Sequence, residues 1–200
     1  MIEEYNVLIA SVGGQGGITL ARILSNAALS QGLNVRVGET LGMAQRGGSV
    51  QSHVRFGGDV HGPLIPERGS DVLLSLEPAE ALRVAKYIGK KTTVIMNTHP
   101  VLPTSVLLNE TTYPEIDQIL SILRKIGGSV HPLNALELAK KAGFSRSLNI
   151  VMLGAYVALG NQILTLDAIK EAMVASLPSR YMEQNMRALE MGIVKMRESI

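Results

Sequence analysis

Val7-Leu8-Ile9-Ala10-Ser11-Val12-Gly13-Gly14-Gln15-Gly16-Gly17-Ile18 is the stretch that decides the fold. Its first four residues form a continuous apolar run with β-branched members, the mark of a strand buried on both faces. Glycine then dominates from Gly13 to Gly17. Ile18, Ala21, Leu24 and Ala28 follow at helical spacing, and Gly32 ends the helix. Val35-Arg36-Val37 reads as the next strand. Strand, glycine loop, helix, strand predicts a parallel pair joined by a right-handed crossover.

Working outward, Ser49 to Phe56 alternates Val50, Ser52, Val54 and Phe56 with Gln51, His53 and Arg55, which predicts a strand with one wet face. Gly57-Gly58-Asp59 is a hairpin turn signal, and Val60 to Ile65 is the expected antiparallel return, kept short or at an edge by Pro63 and Pro66. Asp71 to Leu76 reads as a buried strand. Pro78 opens a helix expected to reach about Tyr87, with Glu77 and Glu80 as helix-start residues. Thr92 to Met96 is a further strand. Asn97 to Thr112 reads as loop with a short strand at Val106 to Leu108. Ile116, Ile119, Leu120 and Leu123 share a helix face, Ser129 to His131 is a short strand, and Asn134 caps a helix over Ala135 to Ala142. Leu148 to Leu159 is apolar all round and should be buried. Leu166 to Ser176 is a short helix. Met182, Met186, Leu189, Ile193 and Met196 form a stripe that suits core packing and also suits an adaptable partner surface. With no repeat, low-complexity tract or linker, residues 1–200 read as one domain. The expected class is α/β: a three-layer, Rossmann-like, mostly parallel sheet with an antiparallel hairpin insertion near residues 48–65 and a helical C-terminus.

Composition narrows the function. The 200 residues are 46% hydrophobic and 18% charged, enough apolar material for a full core. The net charge is only +2 and the basic residues are scattered, so a nucleic-acid partner is not expected. No apolar run approaches the length of a membrane span, and residues 1–6 contain Glu3 and Glu4 with no apolar core, so neither a membrane anchor nor a signal peptide is expected and the cytoplasm is the expected location. The absence of cysteine excludes disulfides, thiolate zinc and thiolate-held iron–sulfur clusters from this chain. His53, His61, His99 and His131 have no metal-ligand spacing, and neither a nucleophile elbow nor paired carboxylates stand out, so no catalytic residue and no metal site are assigned.

Two glycine clusters remain. Gly13, Gly14, Gln15, Gly16 and Gly17 lie where a strand meets a helix, where backbone amides and the helix dipole favour an anion. The spacing is not that of a dinucleotide fingerprint, because Val12 and Thr19 stand where glycines are required, and there is no P-loop lysine. Gln45, Arg46, Gly47 and Gly48 follow the second strand and should meet the first cluster at the carboxyl edge of the sheet. Arg46 offers a planar donor fork for phosphate or carboxylate. Each cluster also has a plainer explanation: a tight βα turn for the first, a guanidinium holding loop carbonyls for the second. Glu39 sits about where a ribose-binding acid would follow a second strand, so a free-standing NAD(P)- or FAD-binding enzyme stays open, as does a pure interaction domain.

The first cluster, together with Gly42-Met43-Ala44-Gln45-Arg46-Gly47-Gly48-Ser49-Val50-Gln51-Ser52-His53-Val54-Arg55 and Leu148-Asn149-Ile150-Val151-Met152-Leu153-Gly154, resembles the gamma domain of the 2-oxoacid:ferredoxin oxidoreductases, nearest to the small subunit of the indolepyruvate branch. The resemblance spans essentially the whole chain. It departs from the pyruvate and 2-oxoglutarate branches just before the Arg-Gly-Gly core, where Gly42-Met43-Ala44-Gln45 stands. It implies a large partner subunit carrying thiamine diphosphate and iron–sulfur clusters, decarboxylation of an aryl-2-oxoacid to an aryl-acetyl-CoA, and electron delivery to ferredoxin through the complex. It also implies that this domain covers the active site and contacts coenzyme A, through Gly13 to Gly17 and Gln45 to Gly48. The isolated chain would then be open to self-association through surfaces that the partner covers.

Overall fold

The computed structural model describes residues 4–42, 47–160 and 163–200. Six strands form one sheet: β1 (Tyr5–Val12), β2 (Asn34–Leu41), β3 (Ser49–Gly57), β4 (Val72–Ser75), β5 (Thr93–Asn97) and β6 (Ser129–Leu133). Their order across the sheet is β2-β3-β1-β4-β5-β6. β1, β4, β5 and β6 pair in parallel, whereas β3 is antiparallel to both β1 and β2.

The helices are α1 (Gly17–Ser30), α2 (Pro78–Arg83), α3 (Thr104–Leu107), α4 (Ile116–Ile126), α5 (Ala135–Lys141), α6 (Leu148–Ala158), α7 (Leu166–Ser176) and α8 (Met182–Arg197). The alternation of β1 explains the three layers. Val7 and Ile9 enter a core filled from α1, α5, α6, α7 and α8, while Leu8 and Ala10 enter a second core filled from α2 and α4. The caps follow the residues at the helix starts: the side chains of Glu77, Asn134 and Thr165 accept from the amides of Glu80, Glu137 and Ala168.

Several expectations change. β1 and β2 do not pair, because β3 is inserted between them, and the parallel neighbours predicted by the first 37 residues are two strands apart. The antiparallel element is a β2–β3 pair joined through residues 42–48, and residues 58–65 do not return as a strand. β3 has no wet face. His53 and Arg55 are buried, because residues 61–65 lie across that side. Arg55 donates to the carbonyls of His61, Gly62 and Leu64 and, through Nε, to Asn6, and its guanidinium pairs with Glu4 at 2.6 Å. The Ile65 amide donates to His53 Nδ1 at 3.2 Å. Proline and glycine keep residues 58–65 out of the ladder, and this long cation replaces the missing strand bonds. The helix expected to reach Tyr87 ends at Arg83, with a 3₁₀ turn over Ala85–Tyr87, and residues 104–107 are helical rather than extended. The C-terminal stripe is mainly core, with Leu189, Ile193 and Met196 buried.

Candidate functional site

The two glycine clusters do meet. The Gly13 amide donates to the Gly48 carbonyl at 2.8 Å, and Gly47 donates back to the Gly13 carbonyl at 3.4 Å. The contact follows from topology: β3 runs antiparallel to β1 with Ser49 opposite Val12, so the loop entering β3 lies beside the loop leaving β1. Gln45 and Arg46 lie outside the described residues.

Within the first cluster the side chain of Gln15 faces the protein. Its Oε1 accepts from the Val12 amide and its Nε2 donates to the Leu76 carbonyl, both at 3.0 Å, which pins the loop to the end of β4. Gly16 takes the N-cap of α1 in the left-handed conformation, φ 82°, and its carbonyl accepts from Asn149 Nδ2 at 3.1 Å. A Cβ there would lie 2.6 Å from that nitrogen, so only glycine fits. Gly14 is exposed and faces open space. Gly13, Gly14, Gly16, Gly17 and Val50 enclose a hollow of about 240 Å³ against the start of α1, a helix of 14 residues whose first amides carry no side-chain cap. Free amides and the positive helix end make this hollow suited to an anionic group.

The same edge holds a larger cleft of about 530 Å³. Gly47, Gly48 and Ser49 form one wall, the start of α2 a second, and residues 101–114 the third. Glu77 and Glu80, predicted only as helix-start residues, both reach it while almost fully buried. Ser49 Oγ donates to Glu80 Oε2 at 2.5 Å, and Arg83 Nε pairs with Glu80 Oε1 at 2.9 Å. The Tyr113 hydroxyl donates to Glu77 Oε1 at 2.5 Å. Burial, then the bond to Glu77, holds the Tyr113 phenol well above its ordinary pKa, so it stays a donor at physiological pH. The sequence shows no spacing that gathers Ser49, Glu77, Glu80 and Tyr113. Three strands and a loop bring them together.

Glu39 lies apart. It sits opposite Ser52 of β3, which in turn faces Ile9 of β1. The inserted strand moves it to two strand spacings from β1, about 10 Å, twice the separation found when the second strand lies directly beside the first. The arrangement expected of a dinucleotide site is therefore not formed. Among the described residues no three His, Cys, Asp or Glu side chains converge as a metal site would require, and no helix is long and apolar enough to cross a membrane.

Comparison with known proteins agrees with the fold. The model of the pyruvate ferredoxin/flavodoxin oxidoreductase family matches residues 6–194. Indolepyruvate oxidoreductase subunit IorB of Archaeoglobus fulgidus is 46% identical over 189 residues, 94% of each chain. The gamma subunit of a keto/oxoacid ferredoxin oxidoreductase from Geobacter sulfurreducens superposes with a TM-score of 0.70 at 24% identity, covering 96% of this chain and 98% of that one. A 2-oxoglutarate:ferredoxin oxidoreductase from Magnetococcus marinus, solved with 2-oxoglutarate, coenzyme A and succinyl-CoA, superposes with a TM-score of 0.73 at 19% identity, over 99% of this chain and 32% of that longer one. The chain belongs to the pyruvate ferredoxin/flavodoxin oxidoreductase family, as a subunit of an oxidoreductase.

Proposed function

We propose that this chain is the small subunit of an aryl-2-oxoacid oxidoreductase of the indolepyruvate type, and that its joined glycine loops contact coenzyme A at the active site of a larger partner. The observation that carries the proposal is the junction of the two loops. The Gly13–Gly48 bond places the anion-suited hollow at the start of α1 beside the larger cleft, at one edge of the sheet. Coenzyme A is a fitting occupant, since its phosphates suit free amides and Arg46, and its long amide-bearing arm suits a cleft lined by hydroxyls, apolar side chains and the hydrogen-bonded carboxylates of Glu77 and Glu80. The substrate class comes from the indolepyruvate relative, which matches along nearly its whole length.

In such an enzyme thiamine diphosphate supplies decarboxylation and iron–sulfur clusters carry electrons onward to ferredoxin. Both groups are assigned to the partner; for the clusters the reason is that a chain without cysteine cannot bind them through thiolates. The part left to this subunit is binding and enclosure. Its amides hold the phosphates, and the walls of its cleft help exclude water from the reacting centre. The test is co-expression with a thiamine-dependent partner. We expect the two to co-purify and aryl-acetyl-CoA formation to require both. Full activity of the large subunit alone, with no co-purification, overturns the proposal.

A further inference from the structure

Residues 101–113 leave the body of the protein and return to it at one side chain. Glu77 Oε1 accepts from the Val101 amide at 3.2 Å and from the Tyr113 hydroxyl at 2.5 Å, while Oε2 accepts from the Glu80 amide at 3.0 Å. Glu77 is 2% exposed, so water hardly competes for these bonds. The Tyr113 oxygen is held a second time, by the Ala79 amide at 3.1 Å.

Between the two anchors, every hydrogen bond made by residues 102–112 is internal to the segment among the described residues. The amides of Glu110 and Thr111 close onto the Ser105 carbonyl, Thr111 Oγ1 closes onto Ser105 Oγ, and the turn of α3 supplies the rest. The segment is thus a self-closed loop tied down only at its ends. Pro103, Ser105, Val106 and Thr112 line the larger cleft from above. Leu107 and Leu108 do not line it and are 65% and 63% exposed. A compact loop of this kind opens at low cost unless its ends are held, and here one buried carboxylate holds both.

We propose that residues 101–113 are a lid over this cleft, that Glu77 fastens it at both ends, and that Glu77 and Tyr113 are thereby positioning residues for coenzyme A in the assembled enzyme. The last clause rests on the coenzyme A assignment above. Removing either group frees one end or both, so the closed form becomes less populated and the apparent affinity for an enclosed ligand falls by the same factor.

The test uses Tyr113→Phe, Glu77→Ala and Glu77→Gln. Amide hydrogen exchange on the full chain, with no ligand present, reads the fastening. Residues 102–112 should exchange about tenfold faster in Y113F and E77A, with the strands of the sheet unchanged. Glu77→Gln, which keeps an oxygen for Val101 and Tyr113, should restore most of the protection. In the complex, Y113F should raise KM for coenzyme A about fivefold, with a far smaller change in kcat at saturating coenzyme A. Unchanged exchange in Y113F and E77A overturns the lid whatever the ligand. Faster exchange with an unchanged KM for coenzyme A overturns the positioning role. The coenzyme A assignment itself fails on a separate result, an unchanged KM after Arg46→Ala, which leaves the exchange measurement standing.

Discussion

At the scale of single residues, the motif running from Gly47 to Arg55 divides by role. Its first half borders the cleft, whereas His53 and Arg55 point into the opposite layer and hold residues 61–65. Arg55 satisfies three carbonyls and pairs with Glu4, so Arg55→Ala should lower stability by about 3 kcal/mol or more, measured by urea denaturation, with the cleft residues untouched. His53 is fully buried, and burial first, then the nearby Lys86 and Arg55 cations, lowers its pKa from 6.5 to about 4. In that window the unfolded chain binds a proton that the folded chain refuses. Stability should therefore be complete above about pH 6.5, fall as the pH drops towards 4, and level off below. His53→Asn, which keeps an acceptor for the Ile65 amide, should flatten that part of the profile. Gly16→Ala should cost about 2 kcal/mol and disturb the start of α1, because its left-handed φ and the Asn149 side chain both reject a Cβ. For the site, Arg46→Ala should raise KM for coenzyme A about tenfold, the value of one charge-assisted hydrogen bond.

At the scale of elements, α6 and α8 pack with their backbones in contact. The missing Cβ of Gly192 faces the Val151 carbonyl, and that of Gly154 faces the Leu189 carbonyl. Reciprocal glycines of this sort allow two apolar helices to approach more closely than leucine knobs would. Gly192→Ala should therefore destabilise the domain by about 1–3 kcal/mol through overpacking, seen as a lower Tm, although alanine is the better helix former. The apolar run of α6 and the stripe of Met182, Met186, Leu189, Ile193 and Met196 on α8 were legible in the sequence. The close approach was not, because it depends on which turn of α6 meets which turn of α8. The same limit explains β3. Its alternating pattern predicted a strand correctly, yet its second face was predicted wet, since local alternation carries no information about the distant loop that covers it.

At the scale of the whole molecule, the domain brings the glycine loops, the start of α2 and the lid to one edge of the sheet, and offers no cysteine or converging metal ligands among its described residues. The exposed Leu102, Leu107 and Leu108 beside the cleft add apolar surface of the type that association buries. Protection of residues 102–112 from hydrogen exchange should therefore rise further when the small subunit is bound by the catalytic partner. Equal exchange in the free and assembled states would place the interface elsewhere.

The sequence by itself determined the three-layer α/β class, most element positions and the place of both glycine loops, because these depend on local periodicity, capping and backbone permission. It also determined that this chain has no thiolate to offer an iron–sulfur cluster. Only the tertiary structure decided that β3 lies between β1 and β2, that Glu39 is thereby removed from the loop edge, and that Tyr113 bonds to Glu77 at the cleft. Strand order is set by the competition of whole faces for burial, and a hydrogen bond spanning 36 residues in sequence exists only once that competition is settled.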